Sequence, residues 1–289
     1  MHPMDDFPVR PLRFDVQGVE DQDLVWSKSS PEFAMFINAL GVHVPYFERF
    51  LVRVMRAYRD ELKDETLKRD VQRIIGQEAH HAFNFVAWNQ RLAQCYPGIG
   101  RCDAHAASDF EQLYESGNKR FHVGFTAGYE TFTFLGGMII LQRFGELMGD
   151  AHPDIRALWV WHQVEEVEHG AVAFDFFKAH FPDHEWTRRA MVCRAFGHIA
   201  WETIKAYQAI LRVERPRFRQ RLKAWRFFAS FAKDMVVAAL PVLRSDYHPR
   251  NHPICHEAQS PVAIAWRKDA AEGRAVLSLN NDRIREMLA

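Results

Sequence analysis

Apolar residues recur every three or four positions along most of this chain, a period that predicts α-helices and no sheet. The pattern divides the chain into an arm of residues 1–29 that is rich in proline, a helical domain of residues 30–243 and an irregular tail of residues 244–289. Within the domain we predict helices over residues 30–41, from Val44 or Pro45 to 62, 65–94, 120–148, 153–181, 184–213 and 218–243. A connection over residues 95–119 contains a short helix near residues 109–114.

The most informative stretch lies in the helix over residues 153–181. His162, Glu166 and His169 stand at i, i+4 and i+7, so their side chains project from one face of that helix. The same helix is apolar on several sides, which predicts that it is buried. Buried ionic groups require charged or coordinating partners because their desolvation costs several kcal/mol.

Three other helices carry polar residues that fit this requirement. Glu78 and His81 form a Glu-x-x-His pair on one face of the helix over residues 65–94, and Glu48 lies beside an apolar stripe on the preceding helix. Glu130 is the only formally charged residue between Phe121 and Gln142. A carboxyl group in such apolar surroundings is expected to have a functional role, or else to remain protonated in the core.

The helix lengths place these residues at matching heights in two antiparallel hairpins, given a rise of about 1.5 Å per residue. One hairpin carries Glu48 and Glu78, and the other carries Glu130 and Glu166. The long link over residues 95–119 provides the crossover that joins two such hairpins. This is the ferritin-like arrangement, in which two helices each supply a Glu and two each supply a Glu-x-x-His pair.

We therefore predict an all-α, ferritin-like four-helix bundle with additional C-terminal helices and a dinuclear metal site. Glu165 is either a rival to Glu166 or a hydrogen-bond acceptor for an imidazole, whereas Glu168 and His80 face elsewhere. The predicted metal ligands are Glu48, Glu78, His81, Glu130, His162, Glu166 and His169.

Composition limits the partners and the location. Lys and Arg together equal Asp and Glu at 37 each, which argues against a nucleic-acid binder. The N-terminus does not resemble a signal peptide, the four cysteines form no zinc-ligand pattern, and no run predicts a spanning helix. We expect a cytoplasmic protein with reduced thiols and leave open a homodimer. The basic, aromatic segment of residues 212–226 is either a solvated helix start or a contact with the anionic inner face of a membrane.

Two motifs carry a resemblance to known groups. With the stretches over residues 76–81 and 161–169 as its most specific parts, the chain resembles the bacterial "predicted metal-dependent hydrolases" over most of its length. The ligand spacing alone is similar to that of the di-iron arylamine N-oxygenases, whose last bundle helix carries His-x-x-x-Glu-x-x-His. His162 matches the extra imidazole of that group.

Carboxylates and imidazoles without a thiolate favour two iron ions, with manganese or zinc as alternatives. Together with the oxygenase-like spacing, this predicts an oxidoreductase that uses dioxygen and an electron donor on a small apolar or aromatic substrate. A two-metal hydrolase is one alternative. A metal-free helical module bound to a membrane or protein partner, its ions paired with one another, is another. Candidate pocket walls lie one turn from the ligands: Leu51, Val52, Phe85, Thr126, Ala127 and Phe134.

Overall fold

The computed structural model describes residues 2–253, 255 and 259–289, and it confirms the all-α class. Within these residues no β-strand forms, and one isolated bridge joins Ser27 to Ala151. The described helices are α1 (Pro31–Gly41), α2 (Val44–Tyr58), α3 (Glu65–Cys95), α4 (Pro97–Ser116), α5 (Lys119–Gln142), α6 (Phe144–Met148), α7 (Pro153–His169), α8 (Val172–His180), α9 (Glu185–Glu214), α10 (Phe218–Ala239), α11 (Pro261–Ala271) and α12 (Asn281–Leu288).

Four helices form the central bundle. α2 packs on α3, α5 packs on α7, and the two pairs meet through α2 with α5 and α3 with α7. The side chain of Asp64 accepts hydrogen bonds from the backbone N–H groups of Thr66 and Leu67, which caps the start of α3. This is the two-hairpin arrangement that the ligand pattern predicted for a ferritin-like bundle.

The connection between the hairpins is more regular than predicted. A loop with a short helix near residues 109–114 was expected, but α4 is a continuous helix of 20 residues. Pro97 occupies the first turn of α4, where proline costs no hydrogen bond. It therefore starts a helix inside the segment that we predicted to be a connection. Ile99, Ala106 and Phe110 are the buried residues of α4.

Two predicted helices are each divided in the structure. The helix expected over residues 153–181 stops at His169 and resumes at Val172. A Cβ atom on Gly170 would lie 2.4 Å from Cδ2 of Phe134, so only glycine allows this approach of the α7 end to α5. The helix expected over residues 120–148 is interrupted at Arg143, where the backbone leaves the helical region.

Both terminal segments are packed more closely than an arm and an irregular tail would be. In the arm, Phe7, Val16 and Trp26 are at most 2% exposed, and in the tail α11 and α12 replace the expected irregular chain. The Arg156 guanidinium of α7 donates to the Leu279 carbonyl at 2.5 Å and so ties the tail to the bundle. The division into three regions stays a prediction.

The outer layer covers one side of the bundle. α9 packs along α5, α1 and α4, while α10 packs against α5 and α1. The predicted basic segment contains the end of α9 and the first half of α10, where Phe218 is 81% exposed. Its contact with a membrane surface stays a prediction. Among the described helices, none combines the length and the apolar character needed to cross a bilayer.

Candidate metal centre

The structure brings all seven predicted ligands together in the middle of the four-helix bundle. They come from every helix of the bundle, and each side chain is at most 4% exposed. Their donor atoms fall into two groups, each spanning less than 4.8 Å. The first group is Glu48, His81, His162 and Glu166, and the second is Glu78, Glu130, Glu166 and His169.

The first group is centred on an imidazole nitrogen of α7. Nε2 of His162 lies 3.2 Å from Oε1 of Glu48 and 3.1 Å from Oε1 of Glu166. Nδ1 of His81 lies 3.5 Å from the same Oε1 of Glu166 and 3.9 Å from Oε1 of Glu48. Two nitrogens and two carboxylate oxygens thus converge on one small volume.

The second group is centred on Nε2 of His169. This nitrogen lies 3.1 Å from Oε1 of Glu78, 3.4 Å from Oε2 of Glu130 and 3.3 Å from Oε2 of Glu166. Glu166 faces the first group with Oε1 and the second with Oε2. It therefore has the position of a carboxylate that bridges two ions.

Several donor atoms of the cluster lack a hydrogen-bond partner. These buried atoms are Oε2 of Glu48, both oxygens of Glu78, Nδ1 of His81 and Oε2 of Glu130. Buried polar groups in native proteins are nearly always satisfied, so unpaired atoms on the residues of both donor groups fit cation binding better than a self-sufficient salt-bridge network. This observation weakens the metal-free interpretation.

The pKa values describe the protonation of the cluster in the absence of cations. Burial raises the pKa of Glu48 to about 7 and that of Glu130 to about 8. Burial also disfavours ionisation of Glu166, but the neighbouring His162 and His169 outweigh it and hold the pKa of that carboxyl well below its usual range. The carboxylates in turn raise the pKa of His169 well above normal against the effect of burial. Protons therefore occupy the cluster when cations do not.

Glu165 lies outside the two groups and orients His81, one of the predicted ligands. Its Oε2 is 2.9 Å from Nε2 of His81, on the side of the ring opposite to the cluster. Arg10 of the N-terminal arm donates a hydrogen bond to Oε1 of Glu165 at 2.8 Å. It donates two further hydrogen bonds to the carboxylate of Glu168, at 2.7 and 2.9 Å. A carboxylate on the far nitrogen fixes the tautomer that leaves Nδ1 of His81 free to bind a cation.

Glutamine side chains support the two histidines of α7. Nδ1 of His169 lies 3.0 Å from the amide oxygen of Gln77, and the Gln77 amide nitrogen donates to the Pro8 carbonyl. Gln163 contacts Nδ1 of His162 at 2.9 Å. Each imidazole of the cluster is thus held from behind by a polar side chain.

The supporting residues were the part of the site that sequence reasoning missed. Arg10 is separated from Glu165 by 155 residues, and no local pattern links them. Glu168, which we predicted to face away from the site, is fully buried and bound to Arg10. A signal was available, because a carboxylate on a helix that is predicted to be buried needs a cationic partner elsewhere in the chain.

Aromatic rings enclose the cluster. The ring of Phe85 lies 4.7 Å from that of His162, and the ring of Trp161 lies 4.7 Å from that of His81. Of the other predicted walls, Leu51 and Thr126 are buried, whereas Val52 is half-buried and lines a surface cleft. Apolar side chains therefore pack beside the polar residues that support the imidazoles.

Comparison with known proteins gives one result. No curated protein and no solved structure is significantly similar to this chain. The family model described as "Predicted metal-dependent hydrolase" matches residues 8–253, which include both hairpins and the Arg10 contact. The chain belongs to the family of predicted metal-dependent hydrolases.

Proposed function

We propose that the chain binds two metal ions, one in each group of donors, with Glu166 shared between them. The observation that carries this proposal is the pair of overlapping donor quartets, each built from buried carboxylates and imidazoles. Four carboxylates balance the charge of two divalent ions, so the assembly is neutral enough to remain buried.

We further propose that the ions are iron and that the protein is an oxidoreductase. Carboxylate and imidazole donors without thiolate suit iron or manganese and also admit zinc. Carboxylate-rich four-helix bundles of this kind hold di-iron and di-manganese centres. Iron bound here would supply the electrons that reduce dioxygen, for use on a small organic substrate, with a separate electron donor restoring the reduced state.

The chain itself contributes orientation and exclusion of water. Glu165, backed by Arg10, accepts a hydrogen bond from Nε2 of His81 and so directs Nδ1 towards the cluster. The amide oxygen of Gln77 accepts a hydrogen bond from Nδ1 of His169 and so directs Nε2 towards the cluster. The near-complete burial of the donors, with rings such as Phe85 around them, keeps bulk water away from the reacting centre.

A two-metal hydrolase is the second candidate, and the family description favours it. Paired ions also activate a shared water molecule for attack on an ester, amide or phosphate. The two candidates share the metal centre and differ in metal identity and in the need for dioxygen. An experiment that measures both properties separates them.

Elemental analysis of the purified protein, followed by anaerobic reduction and exposure to dioxygen, tests the proposal. We expect about two irons per chain, following from the two donor groups, and a visible absorption change that requires dioxygen. Zinc without any response to dioxygen would favour the hydrolase. Absence of metal, even after reconstitution with iron, manganese or zinc, would defeat both candidates.

Variants connect the metal to the named residues. Glu130→Ala and His169→Ala each remove a donor of the second group and should lower metal content and activity together. Glu146→Gln is a matched control, because that glutamate is exposed on α6 and paired with Arg143. Full metal retention in both donor variants would show that the ions bind elsewhere.

A further inference from the structure

A surface cleft runs between α2 and α3, and its lining includes Glu78 of the second donor group. Its volume is about 520 Å³, within the range of roughly 300–1,000 Å³ typical of small-molecule sites. It is lined by Arg49, Val52, Arg53, Arg56, Glu78, Ala79, Ala82 and Phe83. Both helices that form the cleft also carry candidate metal ligands.

The α2 wall of the cleft is strongly basic. Arg49, Arg53 and Arg56 follow one another at spacings of four and three residues, so they share one face of the helix. Arg53 donates to Glu111 of α4 at 2.7 Å. Within the described residues, neither Arg49 nor Arg56 is ion-paired with a carboxylate. The wall therefore keeps uncompensated positive charge at the mouth of the cleft.

One residue of the cleft lining, Glu78, also belongs to the second donor group. Glu78 is fully buried, neither of its carboxylate oxygens has a hydrogen-bond partner, and its Oε1 faces both His169 at 3.1 Å and His81 at 3.7 Å. The lining also includes the apolar side chains of Val52, Ala82 and Phe83, of which Phe83 is 54% exposed. The lining thus combines cationic and apolar side chains with one member of the donor groups.

We infer that the substrate is an organic anion with an apolar body, and that it enters through this cleft. Its carboxylate or phosphate head binds Arg49 and Arg56, because guanidinium groups recognise both through paired hydrogen bonds. Its apolar part lies against Val52 and Phe83, and its far end approaches Glu78. The position of the reacting end rests on the proposed function, whereas recognition of the head does not.

Probes with one chain length and different heads test this inference. Calorimetric titration of the full-length, metal-loaded protein with decanoate, decyl phosphate, decanol and decylammonium should show binding of the two anions in preference to the other two. Arg49→Gln/Arg56→Gln should weaken anion binding about tenfold for each arginine removed. Arg219→Gln/Arg221→Gln is the matched control, since both arginines are exposed on α10. The stronger of the two anions identifies the head.

Two further variants exclude a general effect on folding. Arg49→Glu/Arg56→Glu should reverse the preference towards decylammonium, which simple loss of structure would not produce. Ala79→Trp keeps all three arginines but fills the cleft, and it should weaken decanoate binding as well. Equal binding of decanol and decanoate, unchanged affinity in Arg49→Gln/Arg56→Gln, or no binding of either anion would overturn the inference.

Metal content, measured in parallel for every protein, separates this inference from the proposed function. The arginine variants should keep the metal content of the wild type, because none of these arginines belongs to the donor groups. If the wild type binds no metal, the proposed function fails. The preference for anions is then measured on the metal-free protein, where it still decides the inference about the cleft.

Discussion

The two hairpins of the bundle supply similar donors from very different surroundings. On α7 every residue from Ile155 to His169 is buried, and α5 is buried over most of its length. On α3, by contrast, buried Glu78 and Ala82 alternate with exposed Ala79 and Phe83. The α5–α7 hairpin is an interior element, whereas the α2–α3 hairpin has one face inside and one face at the surface.

Under the proposed function, this difference would separate the residues that hold the ions from those that admit the ligand. The α5–α7 hairpin packs against α8, α9, α10 and the tail helix α11, so it is the more deeply covered half of the cluster. The α2–α3 hairpin leaves the cleft open beside Glu78. We therefore expect changes in the α5–α7 hairpin to affect metal binding and stability. Changes on the outer face of the α2–α3 hairpin should affect ligand binding.

The largest effect should come from Glu166→Ala. Glu166 contributes one oxygen to each donor group, so its loss should release both ions and lower activity by about a thousandfold or more. Glu48→Ala, which affects the first group alone, should release less metal. Elemental analysis and activity assays compare the two variants. Equal metal content in Glu166→Ala and wild type would contradict the shared role of Glu166.

Removing the metal should destabilise the protein unevenly. Ligands that bind only the folded state stabilise it by about 4 kcal/mol at a thousandfold excess over Kd. Hydrogen exchange with and without a chelator should show the larger loss of protection in α2 and α3, because α5 and α7 keep their buried contacts. A uniform loss over all four helices would contradict the distinction between the hairpins.

Arg10→Gln should destabilise the protein by about 3 kcal/mol, because it leaves the carboxylates of Glu165 and Glu168 buried without their cation. Arg13→Gln, at an exposed position of the same arm, is the matched control. Adding Glu168→Gln to Arg10→Gln should recover part of the loss by removing one uncompensated charge. Urea unfolding measures all three variants, and the absence of any recovery would argue that Arg10 acts through packing alone.

Gly137→Ala should separate the helices of the interior hairpin. Its Cβ atom would lie 2.9 Å from the Gln163 carbonyl oxygen, so α5 must move away from α7 at a cost of about 1–3 kcal/mol. At Gly197 of α9 nothing lies within 4 Å, and Gly197→Ala should stabilise the protein by about 0.5–1 kcal/mol. Thermal unfolding should show opposite signs for the two substitutions.

Metal affinity should increase with pH, by up to about tenfold per unit for each proton released. Burial raises the pKa of Glu48 to about 7 and of Glu130 to about 8, and the pKa of His169 lies well above normal, so the metal-free cluster holds protons that the cations must displace. These raised pKa values also stabilise the metal-free fold at low pH, a contribution lost as pH rises. Competition titrations between pH 6 and 9 should therefore show steadily tighter binding, and a flat profile would contradict proton displacement.

The sequence was sufficient for the bundle and the cluster because both leave periodic signals. The Glu-x-x-His spacing of Glu78 with His81 and of Glu166 with His169 is local, and a lone Glu130 in an apolar helix is conspicuous. Their helices and their convergence agree with the structure, while their role as metal ligands stays a prediction.

The hydrophobic pattern does not reveal features that depend on contacts between residues far apart in the sequence. The break at Gly170 lies where the chain passes close to Phe134, and the buried arm makes its Arg10 contact with α7, 155 residues away. Helix α4 was missed because proline and glycine signal both the end of one helix and the start of another. Such ambiguities are resolved only by tertiary packing.

The Arg10 contact also sets an order of assembly during synthesis. Arg10 leaves the ribosome before its carboxylate partners, which follow 155 and 158 residues later with Glu166 between them. Until α7 has been made, neither donor group is complete and Arg10 lacks both of its carboxylate partners. Nascent chains that end before α7 should therefore not capture metal, and metal capture and protection of the Arg10 peptide bonds from proteases should increase together once α7 has been released.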